Sequence, residues 1–263
     1  MKRLPLRTTI VLICLGVVAL ISITVQQTFS KNLAAPPRVG ISRIGTSTPI
    51  HAKSLVAPRV SNVLQVSAGG DHTCAIHVNS SVKCWGSNSS GQLGYGDIIQ
   101  RGGGAGEMGA NLPVVDLGTN HTAIQISAGD NHNCAILENF TLKCWGNSEN
   151  SKLGLNTNQN RGDNTSEMGD NLPIVNLGSG KTALAVSAST NHTCAILNDH
   201  TLKCWGNNGS GQLGYGNNTT LNSPSASAID LSNSHTALAV SAGIAHTCAI
   251  LDDNTVHCWG DNT

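Results

Sequence analysis

Four times along the 263-residue chain, a histidine and a cysteine two positions on precede a second cysteine ten residues later, with tryptophan directly after it. The sets are His72, Cys74, Cys84, Trp85; His132, Cys134, Cys144, Trp145; His192, Cys194, Cys204, Trp205; and His246, Cys248, Cys258, Trp259. Imidazole and thiol at this spacing suggest three chemistries. On a strand, His72 and Cys74 share a face and Cys84 joins them from across a hairpin, which offers three zinc ligands. Zinc sites favour closer cysteine pairs, however, and no fourth ligand recurs at a fixed offset. A disulfide is the second option. A symmetric turn near Asn79 sets Cys74 opposite Cys84 on antiparallel strands, about 4.5–5.5 Å apart between Cα atoms, which a disulfide spans. Free buried thiols are the third. The expectation is four disulfides (Cys74–Cys84, Cys134–Cys144, Cys194–Cys204, Cys248–Cys258), with no metal and no cofactor.

Recurrence bears on catalysis too. A catalytic centre is needed once, whereas these residues return in every copy. Each histidine is expected to satisfy local backbone groups. Each tryptophan is expected to fill the space between adjacent units, with its indole N–H on a turn carbonyl. No Gly-x-Ser-x-Gly, His-Glu-x-x-His or paired Cys-x-x-Cys occurs, and the carboxylates are scattered, so no catalytic residue is assigned and no enzyme is expected. "GQLGYG" at Gly91–Gly96 and Gly211–Gly216 lacks the glycine spacing and the Lys-Ser/Thr of a phosphate loop, and reads as a tight connection. Arg161-Gly162-Asp163 is an integrin-type tripeptide read as coincidence, because its counterpart is Arg101-Gly102-Gly103. The recurring Glu-Met-Gly-x-Asn-Leu-Pro from Glu107 and Glu167 is expected to dock each insertion back on its blade. Nine Asn-x-Ser/Thr sequons begin at Asn79, Asn88, Asn120, Asn139, Asn164, Asn191, Asn208, Asn217 and Asn218.

The elements that hold these residues follow from composition and period. Glycine is abundant (29 residues), aromatics are 3% and charged residues 11%, which favours short strands and tight turns. The first cysteines of the copies are spaced by 60, 60 and 54 residues, a period that signals a solenoid, propeller or array. Each full copy reads as four short strands: Pro113–Leu117, Ala123–Ser127, Asn133–Leu137 and Thr141–Trp145 in the second, Pro173–Leu177, Ala183–Ser187, Thr193–Leu197 and Thr201–Trp205 in the third. The fold expected is all-β: a β-propeller of four-stranded antiparallel blades, four of them present at about 58–96, 113–156, 173–216 and 227–263.

Ahead of the repeats, a positive flank (Lys2, Arg3, Arg7) precedes an uncharged, mostly apolar run from Thr8 to Val25. Its length favours an uncleaved membrane-spanning helix over a signal peptide cleaved after Thr28-Phe29-Ser30. Either way the remainder is exported. Residues 1–30 are thus an anchor or signal, 31–57 a linker or stalk, and 58–263 the repeats. The formal net charge is zero. With those three basic residues set aside, 12 basic side chains face 15 acidic ones, and no basic run occurs, so no nucleic-acid partner is expected. The expected location is a single-pass membrane protein with an extracytoplasmic C-terminal domain, or alternatively a secreted one.

"SAGGDHTCAIHVNSSVKCWGSNSSGQLGYG" resembles the repeat of the regulator-of-chromosome-condensation family, through Gly69, His72, Trp85, Gly86, Asn88, Gly91, Gln92, Leu93 and Gly94. The Lys-Cys-Trp-Gly variant looks like exported, cysteine-rich members of that superfamily. The resemblance covers about residues 58–263 and implies a propeller, usually of seven blades. Four copies are present, the last ending at "CWGDNT", Ser189 stands in place of an opening glycine, and "SKLG" replaces "GQLG" in the second copy. The expectation is therefore a piece of a longer chain, with closure by four blades or by dimerisation as the alternatives. The function expected is an exported or membrane-tethered binding module for a protein or other surface macromolecule through its propeller-face loops. An intracellular guanine-nucleotide exchange factor or ubiquitin-ligase adaptor is the alternative.

Overall fold

A computed structural model describes residues 62–263 apart from Asn233. The expected N-terminal helix, the 8–25 run, Cys14 and the 31–57 linker lie outside the described residues. Alternation of apolar and polar residues, broken by Gly, Asn and Asp, produces twelve strands. They are β1 (Val63–Ala68), β2 (His72–His77), β3 (Val82–Gly86), β4 (Ala123–Ala128), β5 (His132–Leu137), β6 (Leu142–Gly146), β7 (Ala183–Ala188), β8 (His192–Leu197), β9 (Leu202–Gly206), β10 (Ala237–Ala242), β11 (His246–Leu251) and β12 (Val256–Gly260). Each consecutive trio is one antiparallel sheet in the order written, so each repeat is one blade. The inner strands β1, β4, β7 and β10 pack against one another in succession, which places them nearest a common axis. No helix among the described residues is long and apolar enough to cross a membrane.

The blades are three-stranded rather than four-stranded. Pro113–Leu117 and Pro173–Leu177 are not strands, and each meets a sheet only briefly: Val115 N–H donates to Val82 O and Val175 N–H to Leu142 O, both 2.8 Å, with an isolated bridge between Lys143 and Ile174 in the second. Ile229 N–H does the same to Leu202 O at 2.9 Å. The sheet met is the preceding blade, not the copy that follows. Proline offers no N–H to a ladder at the start of these segments. At their ends Asp116 and Asn176 turn the chain by accepting the N–H of Gly118 and Gly178 at 2.9 and 3.0 Å.

The core lies between blades. One cluster joins Cys74, Ile76, Cys84 and Leu93 of the first blade to Ile126, Leu137 and Trp145 of the second. Equivalent clusters join the second to the third and the third to the fourth. A small sheet cannot bury both faces by itself, so stacking neighbours supplies the missing cover.

Candidate functional site

The β2–β3 ladder pairs Cys74 with Cys84 directly, and the same register recurs in the other three blades. The structure joins all four pairs as disulfides, with Cα separations of 4.0–4.1 Å. These sulfurs are therefore not metal ligands here.

The histidines reach across the seam to the next blade rather than to local backbone. His72 Nε2 lies 3.0 Å from Asn133 Oδ1, His132 Nε2 is 2.9 Å from Thr193 Oγ1, and His192 Nε2 is 2.8 Å from Thr247 Oγ1. The far partners fix the tautomer. Thr193 and Thr247 donate their hydroxyl protons to the carbonyls of Lys152 and Gln212 at 2.9 and 2.8 Å, and Asn133 Nδ2 donates to Gln92 O at 2.6 Å. The oxygen left at each site must accept, so each imidazole carries its proton on Nε2. Burial holds the rings neutral. It lowers the pKa of His72, drives that of His132 well below the usual value, and brings His192 down to about 4. His246, in the fourth blade, is exposed.

The same carbonyls receive the tryptophans. The indole N–H of Trp145, Trp205 and Trp259 donates to Gln92 O, Lys152 O and Gln212 O at 3.1, 3.0 and 2.9 Å. Trp145 and Trp205 are fully buried, while Trp85 and Trp259 are partly so. Each Gly-Gln-Leu-Gly connection, and its Ser-Lys-Leu-Gly counterpart in the second copy, thus latches one blade to the next. A Cβ on Gly94, Gly154 or Gly214 would come within 2.6–2.7 Å of the indole nitrogen, so the closing glycine is a requirement of the latch. Leu93, Leu153 and Leu213 tuck beneath it, fully buried. Asn88 braces the first latch by accepting Leu93 N–H at 2.8 Å and donating to the carbonyls of Asp97 and Ile99. Asn208 does the same in the third copy. Both sequon asparagines are buried with their amide nitrogens engaged, which closes them to modification in the folded state.

Other motifs sort cleanly. Arg161 is bridged through its backbone to Gly146 and lies 3.7 Å from Glu167, while a Cβ on Gly91 would touch Gly162 and Asp163. The Arg-Gly-Asp tripeptide is therefore packed against the first latch rather than held out on a loop. Glu107 and Glu167 accept backbone N–H groups of their own insertions (Gly102 and Gly104, Gly162 and Asn164), and Leu112 and Leu172 anchor those insertions in the core. Among the described residues, His235, Asp252 and Asp253 are the one group with ligand atoms close enough for a metal. Both imidazole nitrogens already face carboxylates, at 2.6 and 3.5 Å, and the cluster is largely exposed.

Sequence reasoning missed the seam partners. The available signal was the small hydrogen-bonding residue after every histidine: Thr73, Asn133, Thr193 and Thr247.

Radially packed antiparallel sheets joined by such latches define part of a β-propeller, and solved structures agree. The crystal structure of human WBSCR16 matches with a TM-score of 0.58 at 19% identity, covering 76% of this chain and 48% of that one. Prp20p of Saccharomyces cerevisiae matches with a TM-score of 0.54 at 22% identity, covering 76% and 44%. In sequence, the ultraviolet-B receptor UVR8 of Arabidopsis thaliana is 28% identical over 199 residues, 75% of this chain and 41% of the receptor. The chain thus spans less than half the length of these relatives. The Regulator of chromosome condensation (RCC1) repeat matches residues 63–92, 123–151, 184–212 and 229–263, and a second profile of that repeat matches 81–136. The chain belongs to the regulator of chromosome condensation repeat family.

Proposed function

We propose that this chain is a non-catalytic propeller module that binds a protein partner through its blade-face loops, outside the cytoplasm, tethered through residues 8–25 or secreted. The observation that carries it is the commitment of the repeated polar residues to seams. His72, His132 and His192, with the tryptophans and the latch carbonyls, hold blade to blade, so the variable loops are what remains to meet a partner. Support also comes from the yeast relative Prp20p, whose structure was described together with its binding to Gsp1p and histones. A cysteine pair in every blade is the usage expected of an oxidising compartment. The test is protease treatment of intact source cells expressing the full chain with a C-terminal epitope. The expected result is loss of the epitope without lysis, or its appearance in the medium. An epitope that is cut only after lysis overturns the exported location.

A further inference from the structure

Every inner strand carries a β-bulge at the same place. The ladder steps from Val63↔His77 to Gln65↔Ile76, from Ala123↔Leu137 to Gln125↔Ile136, from Ala183↔Leu197 to Ala185↔Ile196, and from Ala237↔Leu251 to Ala239↔Ile250. The residue left unpaired is Leu64, Ile124, Leu184 or Leu238. A bulge frees one residue from the ladder and re-aims its side chain. All four are large and aliphatic, and they are 66, 50, 42 and 51% exposed. Two of them, Ile124 and Leu184, sit in blades covered on both sides, so their exposure belongs to the repeat itself. Because adjacent inner strands pack together, the four residues form an apolar arc at one mouth of the axis.

Phe140 extends this arc. It occupies the β5–β6 hairpin tip with φ +63°, a conformation that is unfavourable for a bulky side chain. Its carbonyl accepts Ala183 N–H at 2.9 Å, which sets it beside Leu184, and it is 45% exposed. Ser80, His200 and Asn254 hold the same backbone position at φ 60–66°, so the turn demands a left-handed residue but not an aromatic one. A strained, half-exposed aromatic that its turn does not require points to a role at the surface.

The rim of the mouth is acidic. Glu138 accepts Thr122 N–H at 2.8 Å, two residues before Ile124, and that bond helps hold its carboxyl at about 2. Asp252 donates its N–H to Thr236 O, two residues before Leu238, and Asp253 flanks His235. Asp199 is paired with Lys181 near Leu184. Four carboxylates therefore stand beside the arc with one lysine and the imidazoles of His77, His121, His200 and His235.

We propose that this mouth docks an extended protein segment whose apolar side chains are interspersed with lysine or arginine. It rests on the protein-binding function above and specifies the face and the partner's chemistry. An aliphatic arc accepts apolar side chains, and an acidic rim selects a cationic segment over an anionic one. Ile98 and Ile99 are also exposed, but they share one loop and have no equivalents in other blades, which makes them a control.

The test is fluorescence anisotropy of the purified full-length protein with a labelled peptide alternating leucine and lysine. Leucine–glutamate and serine–lysine peptides serve as comparisons. Binding is expected for leucine–lysine only, weakened by salt, and reduced about tenfold or more by Ile124→Ser or Leu184→Ser, the loss typical of a central contact. Ile98→Ser should leave it unchanged. Phe140→Asn relieves the left-handed strain, so it should raise the melting temperature while weakening the peptide, a combination that a merely structural residue would not give. Equal binding of serine–lysine or leucine–glutamate peptide, no binding, or indifference to the mouth substitutions overturns the proposal. Self-association abolished by Ile124→Ser also overturns it, since the occupant would then be a second copy. A native protein partner retained by the mouth variants overturns the mouth and leaves the protein-binding function standing.

Discussion

At the scale of single residues, the seam histidines make the fold sensitive to acid. His192 has both ring nitrogens engaged, Nδ1 with Ser189 Oγ at 2.8 Å and Nε2 with Thr247 Oγ1 at 2.8 Å. Burial, with a smaller contribution from the nearby His246, lowers its pKa to about 4. In the unfolded chain the ordinary histidine value of about 6.5 returns. Between those values the unfolded state binds the extra proton, so stability falls as pH falls from about 6.5 toward 4. Going from about pH 7.5 to about pH 5 should cost roughly 2 kcal/mol through this residue alone. His72 and His132 act in the same direction, because burial lowers both. His192→Gln should therefore be less stable than the parent at neutral pH but lose less on acidification. Urea melts at the two pH values measure this. An unchanged pH slope in the variant would show that His192 is not held neutral in the folded state.

At the scale of elements, the hairpin is the unit that the sequence specifies best. Turn residues, strand length and both cysteines lie within fifteen residues from His72 to Gly86, so local chemistry alone sets the register that pairs Cys74 with Cys84. Non-reducing peptide mapping of protein isolated from its own compartment should find four bridges, each linking cysteines ten apart. Replacing Cys134 and Cys144 together by alanine should cost at most about 3 kcal/mol, the chain-entropy figure for so short a loop. Eight free thiols or stoichiometric zinc would be incompatible with this hairpin. The expected fourth strand misled for a reason visible in Pro113–Leu117. Val115 and Leu117 are indeed buried, with Pro113 and Val114 turned to solvent, but proline and the Asp116 turn leave a single ladder bond. Burial was legible there and pairing was not. The histidine partners were hidden for a different reason. Asn133 and Thr193 lie 61 residues from His72 and His132, and a repeat scored within itself does not show what its neighbour supplies. The bulges at Leu64, Ile124, Leu184 and Leu238 were equally silent, because an extra residue in a ladder is defined only by its partner strand.

At the scale of the whole molecule, four sheets with the same registers and the same disulfides differ in burial. Strands β5, β6, β8 and β9 are buried along their whole length. β12 is partly or fully exposed throughout, and β1 alternates between exposed and half-buried. In a linear array, stability is close to a sum of unit terms and nearest-neighbour seams, and local opening follows the seams. Hydrogen exchange can therefore isolate the seam contribution, since the ladder bonds are common to all blades. Amides of β5 and β8, each seamed on both sides, should exchange slowest, near the global unfolding limit. Thr193→Val removes both the acceptor for His132 Nε2 and the donor to Lys152 O while keeping the side-chain volume. It should lower protection in β5 and β8 together, because one seam joins them, and change β2 much less. Uniform exchange across the four sheets, or a Thr193→Val effect confined to β8, would mean that each blade stands on its own disulfide-closed hairpin and that the seams add little.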